Sequence, residues 1–221
     1  MNSPPNGQQL RSLATQTALM DAAETLIANN GAHRVTIKDI VREAGQKNES
    51  VLQYHFKNIQ GLIAAIHQRR NQQIREKRAQ MLKKLEGSKS KLTLHDLCEL
   101  MVYPTFSLAR TDNQFRHYAA AFSHEIVLSE DSALTKVSRS GGGGKSGMRV
   151  GDLLRQALPH LDDATYQARM ELAVRMCSAA VSNHMRNKNP TKGPAADFFI
   201  SNLVDALEGL LIAKPSLKTI G

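Results

Sequence analysis

Between positions 47 and 53 the chain carries Lys47, Asn48, Glu49, Ser50 and Gln53, a dense row of hydrogen-bond donors and acceptors. Asn and Gln can pair two-pronged with adenine N6 and N7, and a Lys ammonium can reach guanine or a phosphate. On an ordinary solvated helix the same row would be chemically idle. It becomes a reading surface only if the chain presents it to the edges of base pairs.

Other groupings fall short of a site. Gly144-Lys145-Ser146 has the ending of a phosphate-binding loop, but the glycine that motif needs five positions earlier is Arg139, and no strand pattern precedes it. A loose, flexible loop over 138–147 is expected instead. His117 and His124 share a spacing of seven, and His95 with Glu99 is an i, i+4 pair. Neither gains the further ligands a zinc site requires. There is no nucleophile elbow and no pair of carboxylates in a catalytic setting. The expectation is a protein that is not an enzyme, with no metal and no cofactor.

The elements around the reading row are helical. Leu19, Ala22, Ala23, Leu26 and Ile27 form one apolar stripe of a helix that Asn29-Asn30-Gly31 ends. Thr36 opens a second helix as N-cap, with Asp39 placed to answer it, and Ile37, Ile40, Val41 and Ala44 line its inner face. Gly45 turns the chain. A third short helix is predicted near 48–55, with Val51 and Tyr54 inward. A short helix, a Gly-containing turn and another short helix make a helix-turn-helix, whose second helix enters the major groove.

A long fourth helix follows, with Ile59, Leu62, Ile63, Ile66, Ile74, Leu82 and Leu85 as its stripe and Gly87 to Ser90 as its stop. Further helices are expected over 92–109 (kinked at Pro104), 113–128, 148–158, from Asp162/Asp163 to about Arg186, and over 194–213. The fold class is all-α: an N-terminal helix-turn-helix three-helix domain at 1–60, its first ten residues a disordered tail, and a larger helical domain at 61–221.

The chain has 221 residues and a net charge of +9, with a pI near 9.7. Residues 1–86 hold 13 basic and 7 acidic side chains, so the excess concentrates around the helix-turn-helix, as an anionic partner requires. No run of apolar residues is long enough to span a membrane. Cys98 and Cys177 alone cannot make a disulfide framework, and no secretory signal opens the chain, so a cytoplasmic location is expected.

The sequence also resembles the tetracycline-repressor-like (TetR) transcriptional regulators. The likeness runs from Leu19-Met20-Asp21-Ala22-Ala23-Glu24-Thr25-Leu26-Ile27, through Gly31 and Thr36 to Gly45, to Tyr54-His55-Phe56-Lys57 and Leu62. It covers about fifty residues and is specific as an ensemble. One residue more than the commonest spacing separates Gly45 from Tyr54, and Ile59 stands where a phosphate-binding Lys is common. The resemblance implies that Thr36 holds a phosphate, that Tyr54 and His55 touch the DNA backbone, and that Lys57 adds charge there. Phe56 reads as core.

For the second domain the resemblance implies effector binding and dimerisation. Met101, Tyr103, Phe106, Phe115, Tyr118, Phe122, Met176 and Cys177 are compatible with an apolar effector pocket, and equally with plain core. Ala173, Cys177, Ala180 and Val181 on one late helix, with Leu203, Ala206, Leu207 and Leu210 on the last, give stripes suited to a four-helix dimer face. The expected partners are a double-stranded DNA operator, a small-molecule effector and a second copy of the chain. The expected function is a repressor, released by the effector, that binds a near-palindromic operator as a homodimer. Two other readings stay open here: an all-helical interaction scaffold, which salt-dependent DNA binding would exclude, and a nucleotide-binding enzyme using 141–147, which nucleotide binding would support.

Overall fold

The computed structural model describes residues 6–31, 34–88, 91–123, 125–139 and 143–216. These form eleven α-helices, with no strand among the described residues. The chain divides into two compact units, 1–69 and 70–221.

The first unit begins with α1 (Gly7–Asn30), started by a capping box in which Asn6 and Gln9 satisfy each other's amides. Residues 7–10, expected as part of a disordered tail, are therefore helical, and 1–5 lie outside the described residues. Leu19, Ala22, Ala23 and Ile27 are buried, as the stripe requires. So is Glu24, whose carboxylate meets the Arg69 guanidinium at 3.1 Å, with Asp21 on the same guanidinium at 2.7 Å. A charge this deep persists only when paired. Gly31 ends α1 at φ +82°.

Next come α2 (Ile37–Glu43), α3 (Ser50–Phe56) and the start of α4 (Ile59–Ser88). Ile40, Val41, Leu52, Phe56, Leu62 and Ile66 are buried, giving the three-helix frame its core. α4 continues from this unit into the second. Along the rest of the expected stripe Leu82 is buried and Ile74 and Leu85 are half-buried, and between Ile66 and Ile74 two polar residues, Arg70 and Asn71, are buried as well. Arg70 bonds Asp112 and Gln73 and lies over the Phe115 ring.

The second unit contains α5 (Leu94–Thr111), α6 (Asn113–Phe122), α7 (Glu125–Leu128), α8 (Ala133–Arg139), α9 (Gly144–Ala157), α10 (Asp163–Met185) and α11 (Pro194–Ile212). α10 packs on α6 and α11, and α11 packs on α5. The core includes Leu97, Leu100, Phe106, Phe115, Leu154, Leu158 and Leu207.

Several expectations shift here. The helix foreseen over 113–128 breaks at Ser123, leaving α7 as a separate turn. Glu171 and Arg175, one turn apart on α10, hold this region. Glu171 accepts from the Ala133 and Leu134 amides, capping α8, while Arg175 donates to the carbonyls of Ile126, Val127, Ser129 and Asp131. The loop expected over 138–147 is partly helical, because α9 starts at Gly144 rather than near 148 and α8 ends at Arg139. Residues 140–142 lie outside the described ones.

α5 runs through Pro104 as a single element. Proline cannot donate to the carbonyl four residues back. That carbonyl, on Leu100, accepts from Arg78 Nε at 3.3 Å.

Candidate nucleic-acid interface

Thr36 caps α2: its hydroxyl accepts from the Asp39 amide and donates to the Asp39 carboxylate at 2.6 Å. These bonds, with the neighbouring Arg42, hold the Asp39 carboxyl below the usual carboxylate range. The hydroxyl proton expected at a phosphate is thus directed at Asp39 in the free protein. Gly45, at φ +67°, makes the turn that a Cβ would strain.

α3 starts at Ser50, two residues later than expected, because Asn48 spends its side-chain oxygen on the Ser50 amide at 2.9 Å. Leu52 and Phe56 are buried, Val51 is half-buried, and Tyr54, expected inward, is 81% exposed. Lys47, Asn48, Glu49, Ser50, Gln53 and Lys57 are all exposed, and His55 is half-buried with its ring against Tyr54. The outward face of α3 is thus a polar surface carrying one large exposed aromatic.

The end of α3 contains a feature the sequence reading missed. Lys57 has φ +67° and ψ −46°, and the Asn58 amide donates to the Phe56 carbonyl at 2.8 Å. This is a γ-turn of the rare positive-φ kind, costly for any residue with a Cβ. It reverses the chain within three residues. Asn58 then caps α4 by accepting from the Gly61 amide. A Cβ on Gly61 would run into the Phe56 carbonyl oxygen, so only glycine lets α4 start this close to α3. A glycine in the first turn of a helix, just after Tyr54-His55-Phe56-Lys57, was the available signal.

In the second unit the expected effector residues are placed as follows. Phe106 and Phe115 are fully buried, and Phe106 lies among the Tyr103, His184 and Phe199 rings. Phe115, Tyr118 and Phe122 make a row with ring centroids 5.7 and 5.5 Å apart. Met101, Tyr103, Met176 and Cys177 are half-buried. Burial pushes both the Cys98 and the Cys177 thiol up to about 12.

The expected dimer stripes need correction. Ala173, Val181, Leu203 and Leu207 are buried inside the single chain, since α10 and α11 use those faces to pack within the subunit. Ala180 and Leu210 are half-buried, and Ala206 is exposed. The apolar groups left outside are Leu172 on α10 and Phe198 and Ile212 on α11.

Among the described residues no group of three His, Cys, Asp or Glu side chains could hold a metal. His95 pairs with Glu208 on α11 at 3.0 Å, and His124 lies outside the described residues. Ser146 donates to the Arg75 carbonyl, and the helix α8, not a strand, stands before α9. No described helix is long and apolar enough to cross a membrane.

An exposed polar helix face on a helix-turn-helix frame is the architecture of a DNA-binding regulator. Residues 19–66 match the family model of the bacterial regulatory proteins, tetR family. Solved structures share the fold. One from Rhodococcus sp., assigned to the TetR-family transcriptional regulators, is 16% identical with a TM-score of 0.57, covering 90% of this chain and 99% of its own. The transcriptional regulator FadR from Bacillus subtilis, in complex with stearoyl-CoA, is 19% identical with a TM-score of 0.54, covering 90% and 99%. GusR of Salmonella enterica is 19% identical with a TM-score of 0.50, covering 91% and 97%. At such identities the likeness is one of fold. Against curated protein sequences the chain shows no match.

Proposed function

We propose that the protein is a transcriptional repressor that binds a near-palindromic operator as a homodimer and is released by a small-molecule effector. The observation that carries DNA reading is the outward face of α3, where Gln53 and the 81% exposed Tyr54 stand while Leu52 and Phe56 anchor the helix, with exposed Lys47 before it and Lys57 after it. Gln53 is the residue for base readout. Lys47, Lys57, Tyr54 and His55 hold the phosphate backbone and fix register. Thr36 joins them when Asp39 yields its hydroxyl proton to a phosphate.

Two copies would associate through the outward faces of α10 and α11, with Phe198 and Ile212 aligned two turns either side of Asp205 on α11. Such a dimer reads two half-sites one helical turn apart, ~34–36 Å. The effector acts from the second unit, and α4, which is continuous from one unit into the other, carries its influence to α3. FadR, solved with stearoyl-CoA, is one protein of this fold that holds a small molecule, which supports the effector reading.

Selection of bound sequences from a random DNA pool tests the proposal. The expected winners share a near-palindrome with half-sites one turn apart. A pool without enrichment, or binding indifferent to salt, would refute it.

A further inference from the structure

The reading row of α3 carries a carboxylate where a surface turned to DNA calls for cations. Glu49 is exposed, and among the described residues its side chain makes no hydrogen bond or ion pair. It directly precedes α3 and already has helical backbone angles, φ −62° and ψ −24°, so it continues the spiral of that helix. Glu49 and the exposed Gln53 are therefore one turn apart. Side chains at that offset are neighbours, with Cβ atoms ~5–6 Å apart. A carboxylate brought to a polyanion is repelled by its phosphates whatever the base sequence. Only a base that donates a hydrogen bond offsets that repulsion.

The bases differ in what they offer a carboxylate. In the major groove guanine shows the N7 and O6 acceptors and thymine the O4 acceptor, while adenine shows the N7 acceptor beside its N6 amine. Each of these sets a lone pair against the carboxylate. Cytosine shows the N4 amine without an acceptor beside it, so it donates unopposed. The neighbours of Glu49 complete the match. Asn48 has its side-chain oxygen on the Ser50 amide at 2.9 Å, so it presents only its N–H groups, and exposed Lys47 is a donor as well. Acceptor-only Glu49 beside donor-only Lys47 and Asn48 complements a C·G pair, whose guanine takes donors at O6 and N7. The occupied oxygen also removes Asn48 from two-pronged pairing with adenine and leaves that to Gln53.

We infer that Glu49 is a second specificity-determining residue, accepting a hydrogen bond from the N4 amine of an operator cytosine within two base pairs of the one that Gln53 reads. The interval follows from the one-turn offset of the two side chains, since stacked base pairs lie ~3.4 Å apart. This rests on the reading of α3 as the recognition helix and names the base chemistry of the operator it selects.

The full chain is used to select an operator from a random DNA pool, and affinity is then profiled at every base pair for wild type, Glu49→Gln, Glu49→Ala and Gln53→Ala. Wild type should prefer cytosine within two base pairs of the position that Gln53→Ala relaxes. Glu49→Gln should lose that preference by about tenfold and gain adenine, which a glutamine amide pairs in two-pronged fashion. Both Glu49 variants should bind random-sequence DNA at least as tightly as wild type, because a charge that repels phosphate is gone. A Glu49 that only steadies the start of α3 through the helix dipole would instead give weaker binding to all sequences alike, with the cytosine preference intact. A change on the DNA side tests the wild-type protein itself. Replacing the operator cytosine by 2-pyrimidinone, which lacks the N4 amine, should weaken wild type about tenfold more than it weakens Glu49→Ala. Cytosine preference unchanged in Glu49→Gln, no cytosine in the stated interval, or a wild type that binds the pyrimidinone operator as tightly as the original would overturn the inference. Any of these results with a selected operator leaves DNA reading by α3 standing and removes Glu49 alone. A pool without enrichment sinks both.

Discussion

Lys57 carries two duties that pull in opposite directions. Its positive φ is a strained conformation that a glycine would adopt freely, while its ammonium is proposed to neutralise a phosphate. Lys57→Gly should therefore raise stability by about 0.5–1 kcal/mol, the relief of backbone strain outweighing the entropy glycine adds to the unfolded chain. The same change should weaken binding to all DNA sequences alike and flatten the salt slope by about one unit. Denaturant melts and binding titrations across salt check both signs. A variant that is less stable yet binds as before would refute this account of the turn. Of these two properties the charge is plain in the sequence, whereas the γ-turn is set by the close approach of α4 to α3, for which Gly61 is the one signal. Tyr54 was misplaced because Val51 with Tyr54 and Leu52 with Phe56 are rival apolar pairs on neighbouring faces of α3, and only packing decides which pair is buried.

At the scale of elements, the helix boundaries with strong end signals were read closely. Thr36, Asp162 and Pro194 start α2, α10 and α11 where capping chemistry says they should. The interior charges were not legible. Glu24 and Arg70 look like solvated positions until a partner arrives from far along the chain, Arg69 for one and Asp112 for the other. The caps themselves predict an acid response. Hydrogen bonds from Thr36 lower the Asp39 pKa, and those from Thr165 lower that of Asp162. For Glu171, burial opposes ionisation, but bonds from Ala133, Ser132, Leu134 and Arg175 outweigh it and the net shift is also downward. A carboxylate with a depressed folded pKa contributes stability above its unfolded value, about 4, and loses it as pH falls through the folded value. Thermal stability should thus be level above about pH 5 and decline below pH 4. Asp162→Asn should lower Tm at pH 7 and shrink that decline. Equal Tm for wild type and Asp162→Asn at pH 7 would remove the cap from the account.

For the whole molecule, the outline of two helical units was visible in stripe periodicity, and the surface between subunits was not. Periodicity reports that a helix face is buried but does not say whether by its own chain or by a second copy. Leu207 has 0% exposure in the single chain, whereas Phe198 has 72%. Leu207→Arg should accordingly unfold the subunit, since it places an unpaired charge in its core. Phe198→Arg should leave the fold intact and convert the proposed dimer to monomer. Light scattering beside thermal melts separates the two, and an unaltered dimer for Phe198→Arg would move the interface off this face of α11.

Coupling between the units belongs to the same scale. Arg69 and Arg70 are adjacent on α4, yet one is tied to α1 in the first unit and the other to Asp112 in the second. A coupling carried by α4 must be reciprocal, so operator DNA should weaken effector binding by the factor with which effector weakens DNA binding. Arg70→Gln should reduce that factor while changing each separate affinity little, and equal effector affinity with and without saturating operator would show that no switch exists.

The central claim is that the outward face of α3 reads DNA sequence, and base preference in Gln53→Ala measures it most directly. Each base pair of the selected operator is varied in turn, and affinity is compared for wild type and variant. Preference should relax at one symmetry-related pair of positions, by about 1–3 kcal/mol for each lost two-pronged contact, with the profile elsewhere unchanged. A preference profile identical to wild type at every position would contradict it.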